Sequence, residues 1–171
     1  LQEAGIDTVD LLATALRKAA LDDADDLVFV QAFEVGPLKR LNALVETPLV
    51  LLISSQGGPY DEPATSWADI LTPSGLAQVA GYADGIGPHL GHVLSADGTP
   101  TGLVGEAHAV GLKVHPWTLR KENAFLPPAL RRGAGQGAAG DLGTLARMVR
   151  ASGADGVFTD DPALVLSALG R

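Results

Sequence analysis

A chain of 171 residues of which 46% are apolar has the size of one domain and can fill one core. Its formal charge of -8, from 20 Asp and Glu against 12 Lys and Arg, argues against nucleic acid or anionic lipid as a partner. Because the sequence contains no Cys, it excludes disulfides, thiolate metal ligands and cysteine nucleophiles.

The apolar runs of the sequence are too short to cross a lipid bilayer. The longest, such as residues 48–54, fall far below the roughly 20 residues that a membrane-spanning helix needs. The sequence therefore predicts no transmembrane segment. It begins with Leu1 rather than Met, which predicts that the sequence has been cut at this end.

Helical and β-rich segments alternate along the chain. Residues 7–20 have apolar side chains at helical spacing and predict the first helix. In chain order, the pattern then predicts a strand at 27–33, a helix at 37–46, a strand at 48–53, a short helical turn at 67–71, a helix at 73–81, a strand at 83–87, a helix at 101–111, a strand at 112–118, a helix at 141–152, a strand at 155–159 and a last helix at 162–169. Five strands, each followed by a helix, predict parallel pairing and the α/β class, and leave a doubly wound sheet and a barrel both open.

One segment interrupts the alternation. Residues 133–140 contain four Gly and three Ala in eight positions and follow the polar loop after Trp117. This composition predicts a flexible loop insertion and not a linker between domains.

In parallel α/β folds, the residues that do chemistry lie at the carboxyl ends of the strands. At these ends the sequence places polar and aromatic residues, among them Gln31, Phe33 and Trp117. Two interpretations of the aromatic residues stay open: ordinary packing under a loop, or the apolar wall of a substrate pocket. For residues 159–161 the simpler interpretation is that they cap the last helix, because Pro162 suits a first helical position.

The four His residues carry no metal or catalytic signature. His89 and His92 lie three positions apart, His108 and His115 lie seven apart, and no H-E-x-x-H pattern accompanies them. We expect structural or solvent-facing roles for all four. The sequence also lacks a Walker-type phosphate loop and a G-x-S-x-G motif. From the residues alone, the strand ends offer pocket walls without a catalytic group.

Four stretches at these strand ends carry a resemblance to a known family. They are VFVQAFE at 28–34, YADGIGP at 82–88, AHAVGLKVHPWTLRKEN at 107–123 and ADGVFTDDP at 154–162. In this order and spacing the sequence resembles the glycerophosphodiester phosphodiesterase family, in particular its larger bacterial, periplasmic-type branch. The likeness extends from about residue 7 to residue 169.

The resemblance implies a (β/α)8 TIM barrel that hydrolyses glycerophosphodiesters, such as glycerophosphocholine, to sn-glycerol 3-phosphate and an alcohol. In that family two His residues act as acid and base, and a cluster of carboxylates holds a divalent cation, Ca²⁺ or Mg²⁺. The family's His-Arg-Gly strand, its Glu-x-Asp metal motif, its His-Asp pair and its Glu-Ile-Lys strand precede the matched region. This sequence has no counterpart of any of them.

The resemblance therefore implies that residues 1–171 are a partial domain, strands four to eight of the barrel, with the first three strands missing and the N-terminal barrel half required. We expect no catalytic residue and no metal ligand in this chain; the cation would belong to the full-length parent. Only pocket positions carry over: Gln31, Phe33 and Trp117 are expected to bind the small-molecule substrate. At Ala32 the sequence departs from the family, which commonly has Ser there.

Two other readings remain. The chain could be a shortened, non-catalytic relative that binds a phosphodiester or a partner protein, or an unrelated doubly wound enzyme, which would leave the ordered motifs unexplained. An open arc of five strands would also leave unpaired edges near Leu27 and Asp155, so we expect the lone chain to aggregate or dimerise. The likeness to the periplasmic-type branch suggests a periplasmic or secreted protein.

Overall fold

A computed structural model of the protein describes residues 5–171, and the chain divides into two compact units after Ile86. Residues 1–4 of the predicted domain, including Leu1, lie outside the described residues. Each unit alternates helices with short strands. No helix within residues 5–171 is long and apolar enough to cross a membrane.

The first unit contains four helices and the first three strands. In chain order these are α1 (Thr8–Ala19), β1 (Val30–Ala32), α2 (Val35–Asn42), β2 (Leu49–Ile53), α3 (Trp67–Ile70), α4 (Pro73–Val79) and the beginning of β3 (Gly85–Pro88). Every predicted helix of this unit is present, including the short turn at 67–71. The predicted helix bounds differ from the observed ones by a few residues, because helix ends are set by capping groups.

The N-terminus of α2 shows how a distant residue sets a helix end. Glu34 occupies the N-cap position but makes no capping bond with its side chain. The carboxylate of Asp61 accepts the N–H groups of Val35 and Gly36 instead, at 3.1 and 2.6 Å. These are two of the N–H groups that a helix leaves without an internal partner. The helix therefore begins two residues before Pro37, where the sequence predicts its start.

Strands β1 and β2 pair in parallel, with Val30 opposite Leu49 and Ala32 opposite Leu51. Four of the five residues of β2 are buried, which is typical of an inner strand of a parallel sheet. The start of β3 follows on the other side of β2, where Asp84 donates its N–H to the carbonyl of Leu49 at 2.8 Å. Large side chains of β2, α2 and α4 fill the core of this unit: Leu38, Leu49, Leu51, Ile53 and Leu76.

The first predicted strand, 27–33, is too long by four residues, because only Val30–Ala32 form a ladder. Leu27 is fully exposed and Phe29 is 42% exposed, so the apolar run begins before the sheet does. Within the described part of the chain β1 has a strand neighbour on one side only, as expected for an edge strand.

The second unit continues from the last residues of β3. It contains α5 (Leu103–Ala109), β4 (Lys113–Val114), α6 (Leu142–Ala151) and α7 (Pro162–Ala168), with three 3₁₀ turns at Leu90–His92, Asn123–Phe125 and Pro128–Leu130. Helices α6 and α7 pack against each other. The core of this unit consists of Leu112, Leu119, Leu145 and Val149.

Parallel bridges extend the pairing of this unit beyond β4. His89 pairs with Trp117, and Leu119 pairs with Thr159, both in parallel. The α/β class with a parallel sheet is therefore confirmed. The predicted fifth strand, at 155–159, is wrong as a strand, because only Thr159 forms a bridge.

The pairing between β4 and residues 155–159 is discontinuous. The C=O of Val114 accepts the N–H of Asp155 at 3.0 Å, and the N–H of Val114 donates to the Asp155 carboxylate at 2.8 Å. Two residues further on, the C=O of Pro116 accepts the N–H of Phe158 at 3.0 Å, but a proline has no N–H to donate in return. The ladder toward residues 155–159 is therefore interrupted at Pro116.

Candidate functional site

Gln31 and Phe33, two of the three predicted pocket residues, lie in the first unit. Gln31 is the exposed middle residue of β1, opposite Val50 of β2. Phe33 follows β1 directly, is 37% exposed and meets the buried ring of Trp67 edge-on, with centroids 6.4 Å apart. Phe33 is therefore packed on one side and accessible on the other, which fits both interpretations of this residue.

Trp117, the third predicted residue, lies in the second unit just after β4. Its indole Nε1–H donates to the carbonyl of Gly87 at 2.7 Å, so the ring is fixed against the end of β3. The imidazole of His89 meets the indole edge-on, with centroids 5.3 Å apart. The peptide bond between Trp117 and Thr118 is cis.

Trp117 and His89 line a cavity of about 650 Å³ in the second unit. The cavity lies beyond the carboxyl ends of β3 and β4, where ligands bind in parallel α/β folds. Its remaining walls come from the turn after β3 and from the loop between β4 and α6, and include Leu94, Arg120, Phe125, Leu126 and Arg131. This cavity is the candidate functional site of the second unit.

His89 is a neutral hydrogen-bond donor in this cavity. Burial lowers the pKa of His89, and the nearby charge of His92 lowers it further. The N–H of Gly91 donates to Nδ1 of His89 at 3.1 Å, so the neutral ring carries its proton on Nε2.

Two arginines bring positive charge to the cavity. The guanidinium of Arg120 lies 4.7 Å from the ring centroid of Phe125, and its Nε lies 2.7 Å from the Asp160 carboxylate. Arg131 donates from Nε to the carbonyl of Leu126 at 3.0 Å, which is a neutral partner. The positive charge of Arg131 is therefore less offset than that of Arg120.

The Gly-rich segment, residues 133–140, is a loop as predicted, but one buried side chain holds it. Asn123 is 4% exposed and donates from Nδ2 to the carbonyls of Arg132 and Gly135, at 2.7 and 3.0 Å. Its Oδ1 accepts the N–H of Arg132 at 3.0 Å, and its own N–H donates to the carbonyl of Ala138. These bonds fix the loop that follows the cavity wall.

The interpretation of residues 159–161 as caps of the last helix needs correction. Asp161 occupies the N-cap position of α7 but makes no capping bond with its side chain. Its carboxylate accepts from Lys121 Nζ at 2.5 Å, while Asp160 pairs with Arg120. Thr159 Oγ1 accepts the N–H of Asp161 at 3.1 Å. The two carboxylates thus pair with Lys121 and Arg120, the basic side chains that follow β4.

His108 and His115 lie in the second unit, outside the cavity wall. His108 Nε2 lies 2.9 Å from the Asp155 carboxylate. His115 is half-buried, and a Cβ on Gly156 would come within 2.9 Å of its ring. Burial lowers the pKa of His115.

The first unit has a cavity of its own, of about 700 Å³, on the helix side of the sheet. Lys39 and Tyr82 line it, with Lys39 Nζ 5.2 Å from the Tyr82 ring centroid and 3.1 Å from Glu62. Burial and the charges of Glu62 and Asp61 raise the pKa of Tyr82 to about 12. Residues of α2, α3 and α4 and of the loop between β2 and α3 line this cavity.

The described residues do not fit a divalent-cation site by themselves. Within residues 5–171 no group of three or more His, Asp or Glu side chains is placed to hold a metal ion. Ca²⁺ and Mg²⁺ bind through several oxygen ligands.

Sequence reasoning missed part of the cavity wall. It placed Arg120 at a strand end but gave it no role, assigned His89 a structural or solvent-facing role, and passed over Phe125 and Arg131. The position of His89 directly after β3 could have identified it. Arg131 gives no such signal, because it lies 17 residues after β4 and reaches the cavity through a loop.

Comparison with known proteins identifies relatives of the chain. A sequence model of the glycerophosphoryl diester phosphodiesterase family matches residues 3–164. A glycerophosphodiester phosphodiesterase of Haemophilus influenzae is 28% identical over 168 residues, which cover 86% of this chain and 43% of the relative. One from Arabidopsis thaliana is 31% identical over 103 residues, covering 58% of this chain and 28% of the relative. The chain thus spans half or less of these relatives' length.

Solved structures agree with the fold. Two crystal structures assigned provisionally by name to the glycerophosphoryl diester phosphodiesterases resemble the chain. The Silicibacter pomeroyi structure has a TM-score of 0.62 at 20% identity, covering 94% of this chain and 43% of the other. The Agrobacterium tumefaciens structure has a TM-score of 0.57 at 16% identity, covering 93% and 49%. With the family model matching nearly all of its length, the chain belongs to the glycerophosphoryl diester phosphodiesterase family.

Proposed function

We propose that this chain is the C-terminal portion of a glycerophosphodiester phosphodiesterase. It supplies strands four to eight of a (β/α)8 barrel whose first three strands lie in a preceding segment. The complete protein is a hydrolase of lipid and glycerol metabolism that converts a glycerophosphodiester to sn-glycerol 3-phosphate and an alcohol.

The observation that carries the proposal is the coverage of the family match. The chain is matched almost throughout, at residues 3–164, yet it covers only 43% of the Haemophilus influenzae relative. A complete (β/α)8 barrel typically needs about 250 residues. A chain of 171 residues is therefore short by roughly the three strand-helix units that the matched motifs leave out.

In this proposal the chain shapes the pocket and the preceding segment performs the chemistry. Gln31, Phe33 and Trp117 line the part that receives the glycerol or the alcohol. The acid and base His residues and the carboxylates for Ca²⁺ or Mg²⁺ belong to the N-terminal barrel half. A divalent cation would neutralise charge that develops on the phosphoryl oxygens.

The first test measures hydrolysis by the 171-residue chain. With glycerophosphocholine and added Ca²⁺, we expect no release of choline above background, because the acid, base and metal ligands are supplied elsewhere. Calcium-dependent turnover by the purified chain would contradict the proposed division of roles.

The second test adds the missing part. The DNA preceding the codon for Leu1 is expected to encode His-Arg-Gly and Glu-x-Asp in frame, and the extended protein is expected to hydrolyse glycerophosphocholine. A start signal directly before Leu1 would favour the shortened, non-catalytic relative instead.

The extended protein also tests a pocket residue. Trp117→Ala should lower kcat/KM about tenfold, equivalent to ~1.4 kcal/mol of lost transition-state binding. Tyr60→Ala removes an aromatic ring that is 91% exposed and is the matched control, with unchanged kcat/KM. Equal kcat/KM values for the two variants would contradict a role of Trp117 in the pocket.

We also propose that the protein works in the periplasm or outside the cell, which rests on the likeness to the periplasmic-type branch. Fractionation of cells that express the extended protein tests this proposal, with the protein expected in the exported fraction and its retention in the cytoplasm contradicting it.

A further inference from the structure

We propose that the cavity beyond β3 and β4 selects a phosphodiester whose alcohol carries a negative charge over one whose alcohol carries an ammonium group. Arg131 and Arg120 are the residues that set this preference. The inference rests on the proposed function, since it assigns the cavity to the alcohol of the substrate.

The first argument is the charge of the wall. Arg120 and Arg131 both line the cavity, and none of the described residues that line it is Asp or Glu. Two carboxylates contact wall residues without being part of the wall: Asp160 lies 2.7 Å from Arg120 Nε, and Asp97 accepts from Ser95 Oγ at 2.5 Å. The wall is therefore cationic although the chain as a whole has a charge of -8. A local field of one sign attracts ligands of the other sign.

The second argument concerns the aromatic residues. Quaternary ammonium groups are recognised through the faces of aromatic rings. The ring of Phe125 already has the guanidinium of Arg120 near it, 4.7 Å from the centroid. A second cation placed on this ring would meet the like charge of Arg120. The ring of Phe125 is thus poorly arranged to bind choline or ethanolamine.

The third argument concerns hydrogen-bond donors. Arg131 uses its Nε for the carbonyl of Leu126, so its terminal amino groups remain to donate to a ligand. His89 carries its proton on Nε2, because Nδ1 accepts the N–H of Gly91. Donors of this kind suit carboxylate or phosphate oxygens, which only accept.

Binding to the extended protein, with divalent cations chelated so that no turnover occurs, tests the preference. Three probes share one glycerophosphoryl group and differ in the alcohol: glycerophosphoethanolamine, glycerophosphoglycerol and glycerophosphoglycerate carry a positive, a neutral and a negative alcohol. The indole N–H signal of Trp117 in the ¹⁵N spectrum, assigned with Trp117→Phe, reports the site. We expect the glycerate ester to bind about three- to fivefold more tightly than the ethanolamine ester, which is the range of a partly exposed charge pair.

Changes in salt concentration and in residue charge separate a preference for charge from a preference for the shape of the alcohol. The preference should shrink as salt is added, because screening weakens exposed charge pairs. Arg131→Gln should reduce it and Arg131→Glu should reverse it. Arg147→Glu makes the same change of charge on α6, outside the cavity wall, and should leave it unchanged. The remaining ¹⁵N signals show whether each variant is folded.

Equal affinities, tighter binding of the ethanolamine ester, or no response of Trp117 to any probe would overturn the inference. Its failure is distinct from that of the proposed function. An extended protein that hydrolyses no glycerophosphodiester would contradict the proposed function, whereas one that hydrolyses the ethanolamine ester fastest would contradict only the charge preference.

Discussion

The carboxylate of Asp155 accepts the backbone N–H of Val114 at 2.8 Å and lies 2.9 Å from Nε2 of His108. One side chain thus joins three elements of the second unit: the segment after α6, strand β4 and helix α5. The contact lies at the start of the backbone pairing between β4 and the segment after α6.

Removal of this contact should destabilise the second unit. Asp155→Ala leaves the N–H of Val114 without its partner, and we expect a loss of about 1–2 kcal/mol in the free energy of unfolding. The carboxylate is about one-third exposed, so solvent screening keeps the loss at the low end. Urea unfolding measures it, with Glu106→Ala, an exposed carboxylate on α5, as control. Equal stability of the two variants would contradict the assignment.

The same carboxylate predicts a pH dependence. Burial alone would raise the pKa of Asp155, but the hydrogen bonds from His108 and Val114 outweigh it and lower the pKa below its ordinary value. Because the folded-state pKa is the lower one, this stabilisation is fully present above about pH 4, the ordinary value, and is lost as pH falls through the folded-state value. Urea unfolding at a series of pH values from neutral to acid gives the free energy of unfolding as a function of pH. This free energy should fall less steeply with decreasing pH for Asp155→Asn than for the parent. The same fall for both proteins would show that Asp155 does not contribute to the pH dependence.

Asn123 should be a major contributor to the stability of the loop at 133–140. Asn123→Ala leaves two carbonyls and one N–H of the loop without their partner, and we expect a loss of about 2–3 kcal/mol in unfolding free energy. Gln136→Ala changes an exposed side chain of the same loop and should stay within about 0.5 kcal/mol of the parent. Thermal and urea unfolding measure both; a small effect of Asn123→Ala would mean that the loop is held by other contacts.

Two glycines of this loop form a matched pair. A Cβ on Gly140 would lie 2.5 Å from Leu126 Cδ1 and 2.6 Å from the carbonyl of Leu130, whereas a Cβ on Gly137 would meet no described atom within 4 Å. We expect Gly140→Ala to lose about 1–3 kcal/mol through overpacking. Gly137→Ala should be neutral or gain up to about 1 kcal/mol by restricting the unfolded chain. The reverse order in urea unfolding would contradict the close approach at Gly140.

The hydroxyl of Tyr82 should lose its proton at a higher pH than an ordinary tyrosine does. The chain has two Tyr residues, so Tyr60→Phe leaves Tyr82 as the sole source of the tyrosinate absorbance. Its midpoint should lie at about 12, and Glu62→Gln should lower it by removing a negative charge. Since the folded-state pKa exceeds the unfolded value of about 10, the associated stabilisation is present below pH 10 and is lost as pH rises above it. A midpoint near 10 while the circular dichroism remains native would contradict the burial of this ring.

The order and type of most elements were accessible from the sequence because they depend on local patterns. The continuous apolar run of β2 and the Thr72-Pro73 start of α4 are signals that a few neighbouring residues carry. The start of α2 was not accessible, because Asp61 sets it from 26 residues away. The interruption opposite the fifth strand was accessible, because Pro116 lies within the predicted strand 112–118 and has no N–H to donate.

The residues of the candidate site also differ in whether the sequence could identify them. Trp117 could be named because it lies at the carboxyl end of a predicted strand within a motif. Arg131 and Asn123 could not, since their roles come from a loop that returns to the cavity, and composition predicted for that loop only flexibility. The pocket roles of Gln31, Phe33 and Trp117 stay predictions.

The bond from Trp117 Nε1 to the carbonyl of Gly87 also limits the contacts that this side chain can make to a ligand. Indole has a single polar hydrogen, and here the protein itself holds it. Any molecule that binds in this cavity therefore meets Trp117 as an aromatic face whose polar hydrogen is already used. Discrimination between chemical groups falls to its neighbours, so an evolutionary change of substrate could leave the tryptophan in place and alter only the residues around it.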